Sequence, residues 1–350
     1  MGIDYTKTPR ELGYRFPAEW EKHKATWLSY PHNENSWPGR LNTIYPSYHQ
    51  FVKELSKGEY VNINVQNEET VFVLRGQFEI INIDLNKINF FIHPTNDAWC
   101  RDHGPAFLIN PEAKTKKIIV DWEYNAWGDK YPYDLDNDIA KLIARKFNTP
   151  FYSPGVVMEG GSVDFNGRGT LITSEACLLN ENRNPDLTKE QIEFYLYNYY
   201  GVEQIIWLND GIEGDDTNGH VDDITRFVNE DTVVTVVEPN KDDYNHKPLL
   251  DNLNLLKNVR LLNGKQLNIV ELPMPEPLYI ENQRVPASYA NFYIANDSVI
   301  VPLFECKTDQ TAIDILSKCF TDRKVIGIDS TDIIWGLGSF HCLSQQEPEV

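Results

Sequence analysis

An α/β fold class follows from three features of the sequence: short runs rich in apolar and β-branched residues, helical patterns set between them, and a composition with no break along the chain. The strand-like runs are YVNINV (60–65), TVFVL (70–74), INFFIH (88–93), KKIIVDW (116–122), QIIWL (204–208), TVVTVV (232–237), NIVEL (268–272), SVIVPLF (298–304) and KVIGI (324–328). Each is too short for a helix and is bounded by polar or glycine-containing segments. Helical spacing is read over 134–147, where Ile139, Leu142, Ile143 and Phe147 share one stripe, and over 188–201, which opens on the capping box TKEQ and stops at Gly201. Two more helices are expected at about 248–257 and at 309–320, the latter with Ile313, Leu316 and Phe320 on one side. FYIANDSVIV reads as a hairpin turning at Asn296 and Asp297. No Pro-rich or Ser-rich linker, repeat or low-complexity tract divides the chain, so residues 1–350 are expected to form a single domain.

Composition narrows the function classes. With 41% hydrophobic and 12% aromatic residues the 350-residue chain has ample material for a core. Its 52 acidic against 32 basic side chains give a formal charge of −20, which repels phosphate backbones and anionic membranes and attracts small cations. Neither nucleic acid nor a membrane is expected as a partner. Five cysteines at 100, 177, 306, 319 and 342, without a Cys-x-x-Cys pair, suit reduced thiols in a cytoplasm rather than a disulfide framework or a zinc knuckle. No run has the length of a signal peptide or a membrane span. Residues 1–6 fit the loose Met-Gly-x-x-x-Thr acylation pattern, but no polybasic second signal accompanies it, and the match is read as chance.

Four glycine-punctuated segments concentrate polar residues: NDAWCRDHGP (96–105), MEGGSVDFNGRG (158–169), GDDTNGHVDD (214–223) and GLGSFHC (336–342). Singly, each has an ordinary explanation: an Arg101–Asp102 ion pair, a turn, a solvated acidic loop, a small buried thiol. His220 in His-x-Asp also fits half of a metal site, but no second His/Cys cluster stands at ligand spacing, and no metal or cofactor is expected. Together the segments supply a thiol and an imidazole, the parts of a nucleophile with a proton shuttle, surrounded by carboxylates that oppose ionisation of that thiol. Such carboxylates serve a cation. A planar guanidinium offers a fork of N–H donors that two carboxylates can grip, and its carbon is a target for a thiolate.

These motifs, with EGGSVDFNGRGTLITSEACLLNENRNP and FHCLSQQEPE, resemble the agmatine deiminases within the porphyromonas-type peptidylarginine deiminases, and the likeness runs from GYRFPAEWEKHKATWLSYPHN to the last residues. The resemblance implies the pentein fold, a five-bladed α/β propeller of pseudo-fivefold symmetry whose hub gathers the distant loops. It implies Cys342 as the nucleophile, His220 as the shuttle, Asp102 and Asp222 as the guanidinium-gripping pair, Glu159 as the carboxylate beside the histidine or guanidinium, and Trp99 as a channel wall. Asp216 stands where the family more often has a glutamate near the substrate's far amine. Other departures are Cys100, His103, Leu337 and Ser339. The substrate class implied is a small guanidino cation, agmatine first, with a homodimer as the family's assembly. Alternatives of the same chemistry are arginine or peptidylarginine; a different class is a non-catalytic binder of guanidinium or polyamine cations.

Overall fold

The computed structural model describes residues 3–350; Met1 and Gly2, where the acylation-like pattern begins, lie outside them. Strands β1 (His23–Ser29) and β2 (Tyr60–Val65) are parallel and joined by the helix Leu41–Gly58, and β3 (Ile88–Ile92) adds in parallel after the helix Glu68–Ile80. Next, β4 (Ala106–Ile109) pairs antiparallel with β5 (Lys117–Val120), which runs parallel to β6 (Phe151–Tyr152) across the helix Ile139–Lys146. The same order, an antiparallel pair, a helix and a parallel third strand, recurs in β7 (Val163–Phe165), β8 (Thr170–Ser174) and β9 (Gln204–Leu208), and in β10 (Thr225–Asn229), β11 (Thr232–Val237) and β12 (Asn268–Pro273). A small hairpin, β13 (Tyr279–Ile280) with β14 (Gln283–Arg284), precedes its last instance in β15 (Tyr293–Ile294), β16 (Ser298–Leu303) and β17 (Lys324–Asp329). Finally β18 (Ser344–Pro348) returns to pair antiparallel with β1, Thr26 opposite Gln346, which gives the first unit the same ββαβ order.

The sequence explains why some central strands were legible. β11 and β16 lie between two neighbours and are almost wholly buried, so they read as continuous apolar runs; β8 is equally buried, but its threonines and serine break the run, and the edge strands β9, β12 and β17 are half-exposed. The hairpin at Asn296–Asp297, the Thr188–Gln191 capping box and the left-handed Gly201 after residues 196–200 are all present. TVFVL is not a strand. It lies in the helix Glu68–Ile80, where the Asn67 side chain accepts the Thr70 N–H, two glutamates occupy the first turn, and Leu74 and Phe78 bury one face four residues apart. Capping and that spacing outweigh the β-branched local preference. The stripe over 134–147 is also shorter than expected. Ile139 and Ile143 are buried, while Phe147 lies past the helix end and packs edge-on against Trp27 and Phe91.

Repetition positions the site. Four connections lead from the last strand of one unit, which in the four-stranded first unit is β3, to the first strand of the next: residues 93–105, 153–162, 209–224 and 274–292. A fifth, 330–343, leads from β17 to β18.

Candidate active site

In the first connection Cys100–His103 form one buried helical turn. Arg101 does not pair with its neighbour Asp102: its guanidinium turns to Gln346 (2.7 Å) and Glu19 (3.2 Å). Asp102 instead accepts the Gly161 N–H on Oδ1 (2.9 Å) and the Trp127 indole N–H on Oδ2 (3.0 Å). The loop that aims Trp127 is strained, with Ala126, Trp127 and Asp129 all at φ between 47° and 59° around Gly128. Burial pushes the Asp102 carboxyl up to about 6, with Asp222 and Glu159 adding to the rise and His220 opposing it.

The second connection brings Glu159 and Gly161. A side-chain carbon on Gly161 would stand 2.5 Å from His220 Nδ1 and 3.0 Å from both Asp102 Oδ1 and Asp222 Oδ2, so only glycine fits where these three residues converge. Glu159 is fully buried and holds Arg183 Nε on Oε1 at 2.5 Å, while its Oε2 lies 4.0 Å from His220 Nε2. Glu159, Cys177 and His220 have donor atoms within 4.8 Å of one another, a grouping that the linear spacing hid. Arg183, bonded to Glu159 and 4.0 Å from the Cys177 sulfur, already supplies positive charge there.

The four aspartates of DDTNGHVDD do four different things. Asp215 folds the loop, accepting the N–H groups of Thr217, Gly219 and His220. Asp216 faces outward to Lys130 Nζ (3.0 Å) and the Tyr131 hydroxyl (2.8 Å). Asp222 places Oδ2 2.6 Å from His341 Nδ1 and leaves Oδ1 buried without a hydrogen-bond partner. Asp223 accepts from Asn291 (2.9 Å). His220 is buried with neither ring nitrogen hydrogen-bonded, Nδ1 being 3.9 Å from Asp102 Oδ1. Burial disfavours its charged form, but Asp102, Cys177 and Asp222 outweigh that and hold the imidazole well above its ordinary range.

Cys342 precedes β18. Its Sγ lies 3.6 Å from Asp222 Oδ2 and 3.0 Å from Asn291 Nδ2. Burial, then Asp222, Asp223 and Asp102, push the thiol well above its usual value. Cys100, fully buried, is also pushed up, to about 12, chiefly by burial. Behind Asp222, His341 spans two carboxylates, with Nε2 2.8 Å from Glu19 Oε2, and Glu19 in turn meets Arg101 and Arg226. Burial works against the Glu19 carboxylate, yet Arg226, His341 and Arg101 hold it well below the usual carboxylate range.

A cavity of about 300 Å³ opens onto Cys342. Trp99 and Trp127 form apolar walls, and Gly336 and Gly338 press against the Trp99 ring so closely that a side-chain carbon on either would come within 2.7 Å of it. Between those glycines Leu337 adopts a left-handed conformation, φ 68°, that a glycine would take at lower cost. Four aspartates, 97, 102, 136 and 216, line the cavity, and no lysine, arginine or histidine does. Asp102, Trp99, Asp216 and Cys342 are thus in the cavity wall, while Glu159, His220 and Asp222 are not. The quoted motifs did not single out Trp127, Arg183, Asn291, His341 or Glu19 for a role. Arg183 and His341 lay inside those motifs and Glu19 inside the matching N-terminal stretch, whereas Trp127 and Asn291 lay outside all of them.

Comparison with known proteins agrees with this geometry. Residues 15–348 match the family model of Porphyromonas-type peptidyl-arginine deiminase. A curated protein of Legionella pneumophila is 36% identical over 99% of this chain and 98% of its own length. The structure of the agmatine deiminase of Enterococcus faecalis superposes with a TM-score of 0.89 at 31% identity, covering 98% of both chains. A cysteine-to-serine agmatine deiminase of C. jejuni with substrate bound superposes with a TM-score of 0.86 at 34% identity, covering 96% of both. The chain belongs to the Porphyromonas-type peptidyl-arginine deiminase family.

Proposed function

We propose that the protein is an agmatine deiminase, a hydrolase that converts the guanidinium of agmatine into a ureido group and releases ammonia. The observation that carries this reading is the cavity wall: among the described residues it holds a sulfur, four aspartates and no basic side chain free to receive the carboxylate of free arginine, since Lys130 at its mouth is paired with Asp216. Agmatine carries two positive charges and no carboxylate. The buried arginines 101, 183 and 226 do not alter this, because each is already bonded to an internal carboxylate. The resemblance to agmatine deiminases of two organisms supports the same substrate. The five ββαβ units, with β18 closing on β1, support a five-bladed ring formed by one domain over residues 1–350.

In the proposed reaction the guanidinium presses past the cavity floor at Cys342 and Asp102 until it lies between the Asp102 carboxylate and the free Oδ1 of Asp222 just behind that floor, and its charge offsets the repulsion that keeps Cys342 protonated in the empty pocket. The thiol gives up its proton to solvent, and the thiolate adds to the guanidinium carbon to form a neutral tetrahedral adduct. His220, held cationic by its acidic surroundings, donates a proton to one nitrogen, which leaves as ammonia. An S-alkylthiouronium remains. His220 then accepts a proton from water as the oxygen adds, the carbonyl forms, and the C–S bond breaks to return the sulfur. The hydroxyl proton of that second adduct returns to the sulfur as the thiol re-forms, and the proton lost to solvent at the start leaves on the ammonia as ammonium. Glu159, braced by Arg183, balances the His220 charge across both steps.

Ammonia release from a panel of guanidino compounds tests the reading. Turnover of agmatine well above that of arginine and of an arginine peptide is expected; peptide turnover without agmatine turnover would select the peptidylarginine reaction. Alkylation at Cys342 should also accelerate in the presence of a guanidinium ligand, and equal rates with and without it would refute activation by the bound cation.

A further inference from the structure

Four of the five connections carry residues already assigned: Asp102, Glu159, the pair His220 and Asp222, and Cys342. The fourth connection, 274–292, carries none of them, yet its end reaches the sulfur. Asn291 is buried, and its side-chain Nδ2 stands 3.0 Å from Cys342 Sγ, the only side-chain donor to that sulfur among the described residues.

The orientation of this amide is fixed by its surroundings. Oδ1 accepts the backbone N–H of His341 (3.1 Å) and that of Cys342 (3.4 Å), while Nδ2 also donates to Asp223 Oδ1 (2.9 Å). Reversing the amide would set an oxygen against a carboxylate and an NH₂ group against two N–H donors, so Nδ2 must be the atom that faces sulfur. The backbone is held on both sides as well. Arg226 Nη1 donates to the carbonyls of Ala290 (3.2 Å) and Phe292 (2.9 Å). The result is a donor aimed at sulfur before any substrate arrives, in a site where Asp102, Asp222 and Asp223 all oppose a negative charge on that atom.

We propose that Asn291 is a further catalytic residue, whose amide N–H stabilises the Cys342 thiolate as it attacks the guanidinium carbon and again as it departs from the thiouronium. Asn291 keeps its protons throughout; it makes and breaks no covalent bond. The role rests on the deiminase reading for its reaction, but not for its test.

The experiment follows alkylation of Cys342 by iodoacetamide as a function of pH in the free enzyme, with peptide mass mapping to separate it from the other four cysteines, alongside steady-state kinetics with agmatine. Asn291→Asp retains an oxygen for the two backbone N–H groups and removes the donor to sulfur. It should move the midpoint of Cys342 alkylation upward by about one pH unit, a tenfold loss of thiolate at a given pH. It should lower kcat by about 10²-fold with KM little changed, as for loss of one preorganised donor to a developing charge. Asn291→Ser, with a hydroxyl too short to reach, should show the same shift and serves if the aspartate variant does not fold. An unmoved alkylation midpoint with kcat within about twofold of the unsubstituted enzyme, against the 10²-fold expected for a lost donor, would overturn the proposal and leave Asn291 as a backbone clamp. Because the alkylation arm uses no guanidino compound, an enzyme inactive on agmatine that still shows the shift would refute the substrate and retain the role of Asn291.

Discussion

Asp102 and Asp222 are the same residue type at the same site, yet they are built in opposite ways. Asp102 is held by neutral donors, a backbone N–H and an indole, and burial pushes its carboxyl up to about 6. Asp222 is equally buried, but His341, with His220 and then Arg226, outweighs the burial and holds its carboxyl below the ordinary range. One arm of the proposed fork therefore carries a built-in negative charge, and the other completes its charge only when a cation arrives or the pH is high enough. A site built wholly like Asp222 would hold a permanent anion pair, with a large repulsion whenever it stood empty; a site built wholly like Asp102 would be neutral in mild acid and hold no cation.

This contrast can be broken most severely at Asp222. Asp222→Asn removes the partner of a buried imidazole, so loss of turnover should come with a stability loss of about 3–5 kcal/mol, the usual cost of breaking a buried pair from one side, read as a lower urea midpoint. Asp102→Asn should lower kcat/KM by about 10²–10³-fold but leave the urea midpoint unchanged or slightly higher, since it removes a carboxylate that burial disfavours. Equal destabilisation by the two substitutions would erase the distinction. A pH profile sharpens it. Asp102 has a raised carboxyl, so its contribution to folding is fullest below the ordinary carboxylate range and is lost as pH rises through about 6, while cation binding needs the ionised form. Hence kcat/KM should fall about tenfold per pH unit below about 6, and that limb should vanish in Asp102→Asn. Asp222, with its lowered carboxyl, loses its contribution only as pH falls below the ordinary carboxylate range. The smallest effect is expected at the cavity mouth. Lys130→Ala frees Asp216 from a partly exposed ion pair worth up to about 1 kcal/mol, and should lower KM for agmatine by a fewfold while leaving a singly charged alkylguanidine unaffected.

Strands such as TVVTVV and the helix that opens on the Thr188 capping box were legible because their signals are local, whereas the central strands HKATWLS and TLITS mix polar residues into buried positions and carry no such run. TVFVL misled because the Asn67 cap lies just outside the run and the Leu74–Phe78 spacing only appears when the window is widened past it. The helix Leu41–Gly58 escaped notice although Ile44, Tyr48, Phe51, Val52 and Leu55 mark a helical stripe; Pro46 inside it argues against a helix at the sequence level. At the site, residue types and order were readable, but partners were not. Arg101 beside Asp102 suggested a local pair, whereas its real partners are 82 and 245 positions away. Asn291 sits in a segment of ordinary composition, and nothing in YANFYIAN marks its amide until the fold brings Cys342 to it.

The sulfur of Cys342 stands just ahead of β18, and that strand reaches back across the whole sequence to pair with β1. Loosening that strand from β1 therefore acts on the chemistry as well as on stability, because it shifts the sulfur relative to Asp102, Glu159 and Asp222, which other connections hold. A molecule with β18 undocked would keep the acidic cradle but lose the positioned thiol, and cationic metabolites would meet a chemically silent site.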